Sequence, residues 1–304
     1  MSKIFQKNPI WRMVALLAVC VTCAGAGLAV AAGPDADSAA LLRAKYVELG
    51  SQLSHNQFKR PLYLDSAESS SHLTGDIYAL VAYPFATVDV ALDNPAHWCD
   101  VLTLHLNIKY CHASTEAGSS ILMVSIGTKY DRPLNEAYPV KFTYSVAAVT
   151  PEYFEVRLNA KTGPLNTSDY HIQLEAVSVQ DGKTFLHLTY SYAYGFAGRV
   201  AMQGYLATIG RDKVGFTNTG KQSGSQPDYI GGVRGLIERN TMRYYLAIDA
   251  YLAALSAPPS EQLEMRLQNW FTSTELYPRQ LHEVDRSAYL DMKRNEYLRQ
   301  QKAQ

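Results

Sequence analysis

The chain lacks an excess of charge of either sign. Its 28 Lys and Arg residues balance 28 Asp and Glu, for a formal net charge of +0. That balance gives no electrostatic case for a nucleic-acid partner or for attraction to an anionic membrane surface. Cysteine is scarce, with four in 304 residues. Cys20 and Cys23 lie in an N-terminal apolar run, and Cys99 and Cys111 form neither C-x-x-C nor a zinc-ligand spacing. G-x-S-x-G, Walker and dinucleotide-binding glycine patterns are missing too. On these grounds no catalytic residue, metal or cofactor is expected, and no internal repeat is evident.

What is abundant sets the frame. With 304 residues and 47% hydrophobic content, the chain suits one large globular domain or two smaller ones. Tyrosine is common, at 21 residues against 9 Phe and 3 Trp. Its apolar ring and polar tip suit sheet faces, interfaces and amphipathic pockets without choosing among them. The long apolar run covers residues 13–32, follows Lys3, Lys7 and Arg12, and precedes polar GPDADS. Ala29-Val30-Ala31 has the small-x-small form of a signal-peptidase site. We read residues 1–31 as a signal peptide and expect an exported, periplasmic protein. An uncleaved membrane anchor is the alternative for a run this long. In an oxidising compartment Cys99 and Cys111 either pair, closing a short loop worth about 3 kcal/mol, or remain buried thiols.

Periodicity orders the rest. Leu41, Leu42, Tyr46, Leu49 and Leu53 recur at helical spacing behind Asp37 or Ser38 as cap, so the N-terminal segment 32–59 carries a helix. PLYLDSAESSSHLTGDIYALVAYPF predicts two strands around a Ser-rich turn, and ATVDVALDNPAHWCDVLTL two short helices broken at Asn94-Pro95. From about 104 to 218 a run of strands is expected, including HLNIKYC, TFLHLTYSYAYGF, RVAMQGYLATIG and KVGFTN. Their alternation and hairpin-like turns argue for an antiparallel sheet covered on one face. GKQSGSQPDY reads as a loop, with Asp228 a candidate cap for the helix over 231–255. Ala257-Pro258-Pro259 ends that helix, and a C-terminal helical extension occupies 257–304.

Two segments carry a family resemblance, GDIYALVAYPFATVDVALDNPAHWCDVL and GGVRGLIERNTMRYYLAIDAYLAAL. Their order around a run of strands resembles the START-like, or SRPBCC, helix-grip superfamily over roughly 60–256, and the chain also looks like exported bacterial proteins. The resemblance implies an α+β fold, a curved antiparallel sheet gripping a long C-terminal helix, with Trp98 on the paired short helices. It further implies an internal cavity for a hydrophobic or lipidic ligand, stored or transferred in the periplasm, with peripheral membrane contact. An enzyme of the same fold, or an interaction protein using its C-terminal helices, are the alternatives. The extra helices at both ends and the export signal depart from the usual pattern.

Candidate ligand-binding residues follow from faces. Tyr190, Tyr192 and Tyr194 share one face of a strand, as a pocket wall or as ordinary aromatic packing. Asn240, Tyr244 and Tyr251 fall with Val233, Ile237, Ile248 and Leu255 on one helical stripe, either satisfied in a core or lining a cavity. Arg239 and Arg243 need an anionic partner, which is an acid of a neighbouring strand or a ligand carboxylate or phosphate. Arg234 and Glu238 read as a surface ion pair. GGVRG is a weak anion-turn signal. His97, His105 and His112 cluster near Asp100 without metal-ligand spacing, and His105 falls on the polar side of its strand. Glu175 and His187 face each other across adjacent strands, as a dyad or an outward-facing pair.

Overall fold

The computed structural model describes residues 34–207, 211–223 and 226–303, so the expected signal peptide lies outside the described residues. The chain begins with α1 (Pro34–Glu48) and α2 (Gly50–Ser54), then strands β1 (Leu62–Glu68) and β2 (His72–Val81). Helices α3 (Phe85–Leu92) and α4 (Pro95–Leu102) break where expected. The Asn94 side chain accepts a hydrogen bond from the Ala96 amide at 2.8 Å, and Pro95 occupies the first turn of α4. Next come β3 (Ile108–Glu116), β4 (Ser119–Ile126), β5 (Tyr138–Thr150), β6 (Tyr153–Thr162), β7 (Thr167–Val179) and β8 (Lys183–Tyr194). Ala117 and Gly118 both take positive φ, which matches the two-residue hairpin joining β3 to β4.

These strands make one 8-stranded antiparallel sheet in the order β1-β2-β8-β7-β6-β5-β4-β3. Strands β3 to β8 form a meander, and the β1–β2 hairpin returns to pair with β8. After β8 come α5 (Phe196–Ala207), the antiparallel pair β9 (Asn218–Ser223) and β10 (Gln226–Tyr229), and the long helix α6 (Gly232–Ala254). Helices α7 (Pro259–Thr274), α8 (Pro278–Leu281) and α9 (Arg286–Ala303) complete the chain. Among the described residues, no helix is long and apolar enough to cross a membrane.

Helix α6 packs against β1, β2 and β8, so the antiparallel sheet grips the long helix in an α+β arrangement. One glycine sets how closely it can lie. A Cβ on Gly75 of β2 would fall 2.3 Å from Thr241 Oγ1 of α6. The main core fills the space between sheet and helices and includes Trp98, Trp270, Phe271 and Tyr289. A second apolar cluster joins Leu42, Leu49 and Leu53 of the N-terminal segment to Tyr153, Val177 and Phe185 on the other face of the sheet. Leu41, expected on the buried side, is 72% exposed. A disulfide links Cys99 of α4 to Cys111 of β3, with Cα atoms 5.2 Å apart.

Four local expectations are corrected. RVAMQGYLATIG is helical through Ala207, not a strand, because α5 docks against β8 and α6 with Met202 buried. Of GKQSGSQPDY, residues 220–223 belong to β9 and 226–229 to β10, paired antiparallel. Asp228 lies within β10, accepting from Thr219 Oγ1 at 3.2 Å, while Gly231 is the cap position of α6. HLNIKYC becomes strand only from Ile108, since the chain leaving α4 turns through 103–107. Finally, α6 has no single apolar stripe: α7 covers it from the side away from the sheet, and Glu238, Arg239, Thr241 and Arg243 are buried as well.

Candidate functional site

Between the sheet and α6 lies a cavity of about 440 Å³. Tyr170, Tyr190 and Tyr192 line it from the sheet, Asn240 and Tyr244 from α6, and Met202 from α5. Leu165 and Tyr138 also line it yet are 65% and 41% exposed, which marks its rim.

The wall is aromatic and rigid. The Tyr170 and Tyr192 rings stack at 5.2 Å between centroids, and Tyr190 meets Tyr244 edge-on at 5.0 Å. Such pairs add about 0.5–1.5 kcal/mol beyond burial, so these side chains hold one arrangement. Thr167 donates its hydroxyl proton to the Pro164 carbonyl and therefore accepts from Tyr170 at 2.6 Å. Burial raises the pKa of Tyr190, Tyr192 and Tyr244, so all three phenols stay neutral.

One end of the cavity is polar. His105 sits in the turn before β3 and is buried, with its ring 5.0 Å from that of Tyr244. Its Nδ1 accepts from the Asn107 amide at 3.1 Å, while its buried Nε2 has no hydrogen-bond partner. A buried donor left so costs about 1–3 kcal/mol. Burial, then the cations Arg243, Lys293 and Lys109, hold the imidazole well below its ordinary pKa, against a contact with the Asn240 side chain that raises it but falls short of the geometry of a hydrogen bond to Nε2. The turn itself is clamped by α9: the Lys293 ammonium donates to the His105 and Ile108 carbonyls, both at 2.8 Å, and to Glu296. Burial lowers the Lys293 pKa to about 8, with Glu296 opposing.

Behind the cavity, Arg243 ends on an acid. Its Nη2 donates to Glu283 at 2.7 Å, and Lys129 and Lys213 approach the same carboxylate at 2.5 and 3.5 Å. Burial would raise the Glu283 carboxyl, but Arg243 and Lys129 outweigh it and hold it below the usual value. Arg243 Nη1 also donates to Asn240 Oδ1 at 3.2 Å. The acid comes from the segment after α8 and not from a neighbouring strand.

The sequence-expected residues divide accordingly. Tyr190, Tyr192, Asn240 and Tyr244 meet at one cavity. Tyr194 stands apart from it, because its hydroxyl donates to the Ser69 carbonyl at 3.0 Å. Tyr251 lines a separate, more open cleft with His97 and Arg266, whose guanidinium lies 4.3 Å from the ring centroid. Arg243 belongs to the ion cluster rather than the lining. The Arg234–Glu238 surface pair does not form. Glu238 is fully buried and accepts from Ser66 Oγ, the Phe216 and Thr217 amides and Thr217 Oγ1, while Arg234 donates to Ser66.

The three histidines do not converge, since His105 lines the cavity while His97 and His112 line an outer cleft. Among the described residues no cluster of His, Cys, Asp and Glu could hold a metal. Glu175 and His187 do pair across β7 and β8, at 2.9 Å, with Asp76 on the other imidazole nitrogen at 2.9 Å. They lie on the face away from the cavity, beside Tyr78, whose ring stacks on His187 at 4.1 Å. His105, Tyr170 and Met202 escape sequence reasoning. For His105 the available signal was a histidine three residues before Ile108, the apolar position where the strand begins, which fits many surface histidines equally well.

No family model and no curated protein matches the chain. Among solved structures, it is similar to norcoclaurine synthase from Thalictrum flavum, at 12% identity and a TM-score of 0.31, over 46% of this chain and 82% of that one. Human StAR-related lipid transfer protein 5 is similar at 9% identity and a TM-score of 0.30, over 56% and 90%. The di-domain ARO/CYC BexL is similar at 11% identity and a TM-score of 0.31, over 77% and 59%.

Proposed function

We propose that this protein binds a small, largely apolar molecule in the cavity beneath α6 and stores or transfers it in the periplasm after export. One observation carries the reading: a space of about 440 Å³ walled by tyrosine rings, with a few polar groups gathered at one end. Ligand sites have this size and composition. Affinity would come from burial of apolar surface at about 25 cal/mol per Å², and orientation from the polar end. The exposed rim at Leu165 and Tyr138 is where a ligand enters and where any contact with a membrane would be peripheral.

The alternatives gain no observation. Glu175 and His187 lie away from the cavity, so this dyad does not serve as its acid and base. Helices α7 and α9 place their largest apolar side chains, Trp270, Phe271 and Tyr289, in the chain's own core and leave Tyr297 and Leu298 exposed.

Native mass spectrometry of the purified chain, with solvent extraction of what it carries, tests the reading. A co-purifying apolar molecule in stoichiometric amount is expected. A chain that carries nothing and takes up no hydrophobic probe would overturn the carrier function.

A further inference from the structure

The buried polar end of the cavity is chemically one-sided, since Glu136, the carboxylate of the lining, is exposed at the rim. The Asn107 amide can only donate, so His105 Nδ1 is an acceptor and the neutral imidazole carries its proton on Nε2. That nitrogen is buried and has no hydrogen-bond partner. Asn240 is oriented by the same logic. A guanidinium only donates, so the amide atom facing Arg243 Nη1 is the oxygen, and the NH₂ half is left over. Both side chains line the one cavity. An ammonium group placed there would meet donors.

We propose that the ligand carries an sp² oxygen, of a carbonyl or a carboxylate, on a flat apolar body, and that this oxygen accepts from His105 Nε2–H and Asn240 Nδ2–H. The inference rests on the cavity reading above and deepens it. The tyrosine rings recognise the body and the two donors recognise the oxygen. His105 is held for this by Asn107 on its ring and by Lys293 on its carbonyl, so the donor is positioned before any ligand arrives.

Three probes of matched shape test it by isothermal titration calorimetry: 2-acetylnaphthalene, 2-naphthoate and 2-ethylnaphthalene. At least one of the two acceptor-bearing probes is expected to bind about tenfold tighter than the ethyl compound, the ratio that a hydrogen bond to a buried donor supplies. A tighter ketone assigns the oxygen to an uncharged carbonyl, and a tighter naphthoate assigns it to a carboxylate; both support the proposal. His105→Phe should erase the preference while 2-ethylnaphthalene still binds. Because that substitution touches the core, Asn240→Leu at a half-buried position and the ¹⁵N-resolved His105 Nε2 proton of the unaltered chain give independent readouts. The preference should fall in the first, and the proton should move downfield with the preferred probe in the second. Equal affinities for all three probes, or a preference unchanged in both variants, would overturn the proposal while leaving the cavity reading intact. If none of the three binds, the cavity reading falls and this inference with it.

Discussion

Arg243 of α6 and Glu283, between α8 and α9, face each other at 2.7 Å with side chains only 4% and 5% exposed. Nothing in the periodicity of either segment pairs them. Their contact ties the long helix to the C-terminal helices and orients Asn240 at the cavity.

Glu283→Ala removes this carboxylate from Arg243, Lys129 and Lys213 at once. Breaking a buried pair by deleting one partner costs about 3–5 kcal/mol, because the remaining charge stays desolvated. Urea denaturation should show a loss of that size. A loss under about 1 kcal/mol, typical of exposed pairs, would mean that water already reaches the pair.

Gly75→Val tests the grip of sheet on helix. Its side chain would collide with Thr241 and Ile237, and overpacking of this kind costs about 1–3 kcal/mol. A lower Tm is expected, together with weaker hydrogen-exchange protection along α6. The double variant Gly75→Val, Thr241→Gly should regain part of both.

The imidazole of His187 links pH to stability. Burial alone would lower its pKa, but its hydrogen bonds to Asp76 and Glu175 outweigh burial and raise it above 6.5. A raised folded value means that the contribution is complete below the unfolded pKa of about 6.5 and is lost as pH rises through the folded one. Glu175 has the opposite sign. Burial would raise it, yet the hydrogen bonds from His187 and Tyr153 lower it, so its contribution holds above the unfolded value and is lost as pH falls through the depressed one. The Tm advantage of the unaltered chain over His187→Gln should therefore be largest in the mildly acidic range and shrink as pH rises towards alkaline. His105, whose pKa is lowered, removes stability from both chains as pH falls below about 6.5.

The disulfide closes a short loop between Cys99 and Cys111. In the chain-entropy account such a loop contributes about 3 kcal/mol. A Cys99→Ala, Cys111→Ala chain should lose roughly that in denaturant titration and keep its sheet content by circular dichroism. An unchanged midpoint would show that the link adds nothing to the contacts already joining α4 to β3.

Much of the fold was legible in the sequence because its signals are local. The Asn94-Pro95 break, the alternation of Leu186, Leu188, Tyr190, Tyr192 and Tyr194, and the start of a long helix near Gly231 each depend on near neighbours. Helix α5 was not legible: RVAMQGYLATIG mixes apolar and small residues in a way that fits either period, and docking decides. The site was legible in part. Tyr190, Tyr192, Asn240 and Tyr244 follow from faces, but a face does not say which members reach a cavity and which, like Tyr194, end on a backbone carbonyl. Glu238 reads as half of a surface pair, and nothing in the spacing of Glu283, Lys293 and Glu296 marks them for burial, since the groups that satisfy Glu238 and Glu283 and the carbonyls that Lys293 reaches lie far away in sequence.

The central claim is that apolar ligands enter the space beneath α6. The direct measurement is a nuclear Overhauser experiment on the methyl-labelled protein with 2-acetylnaphthalene. Cross-peaks from the naphthalene protons to the Met202, Leu165 and Leu236 methyls, which line that cavity, are the result expected. Cross-peaks confined to Val90, Ala91 and Leu255, which line the outer cleft with Tyr251, would contradict the account.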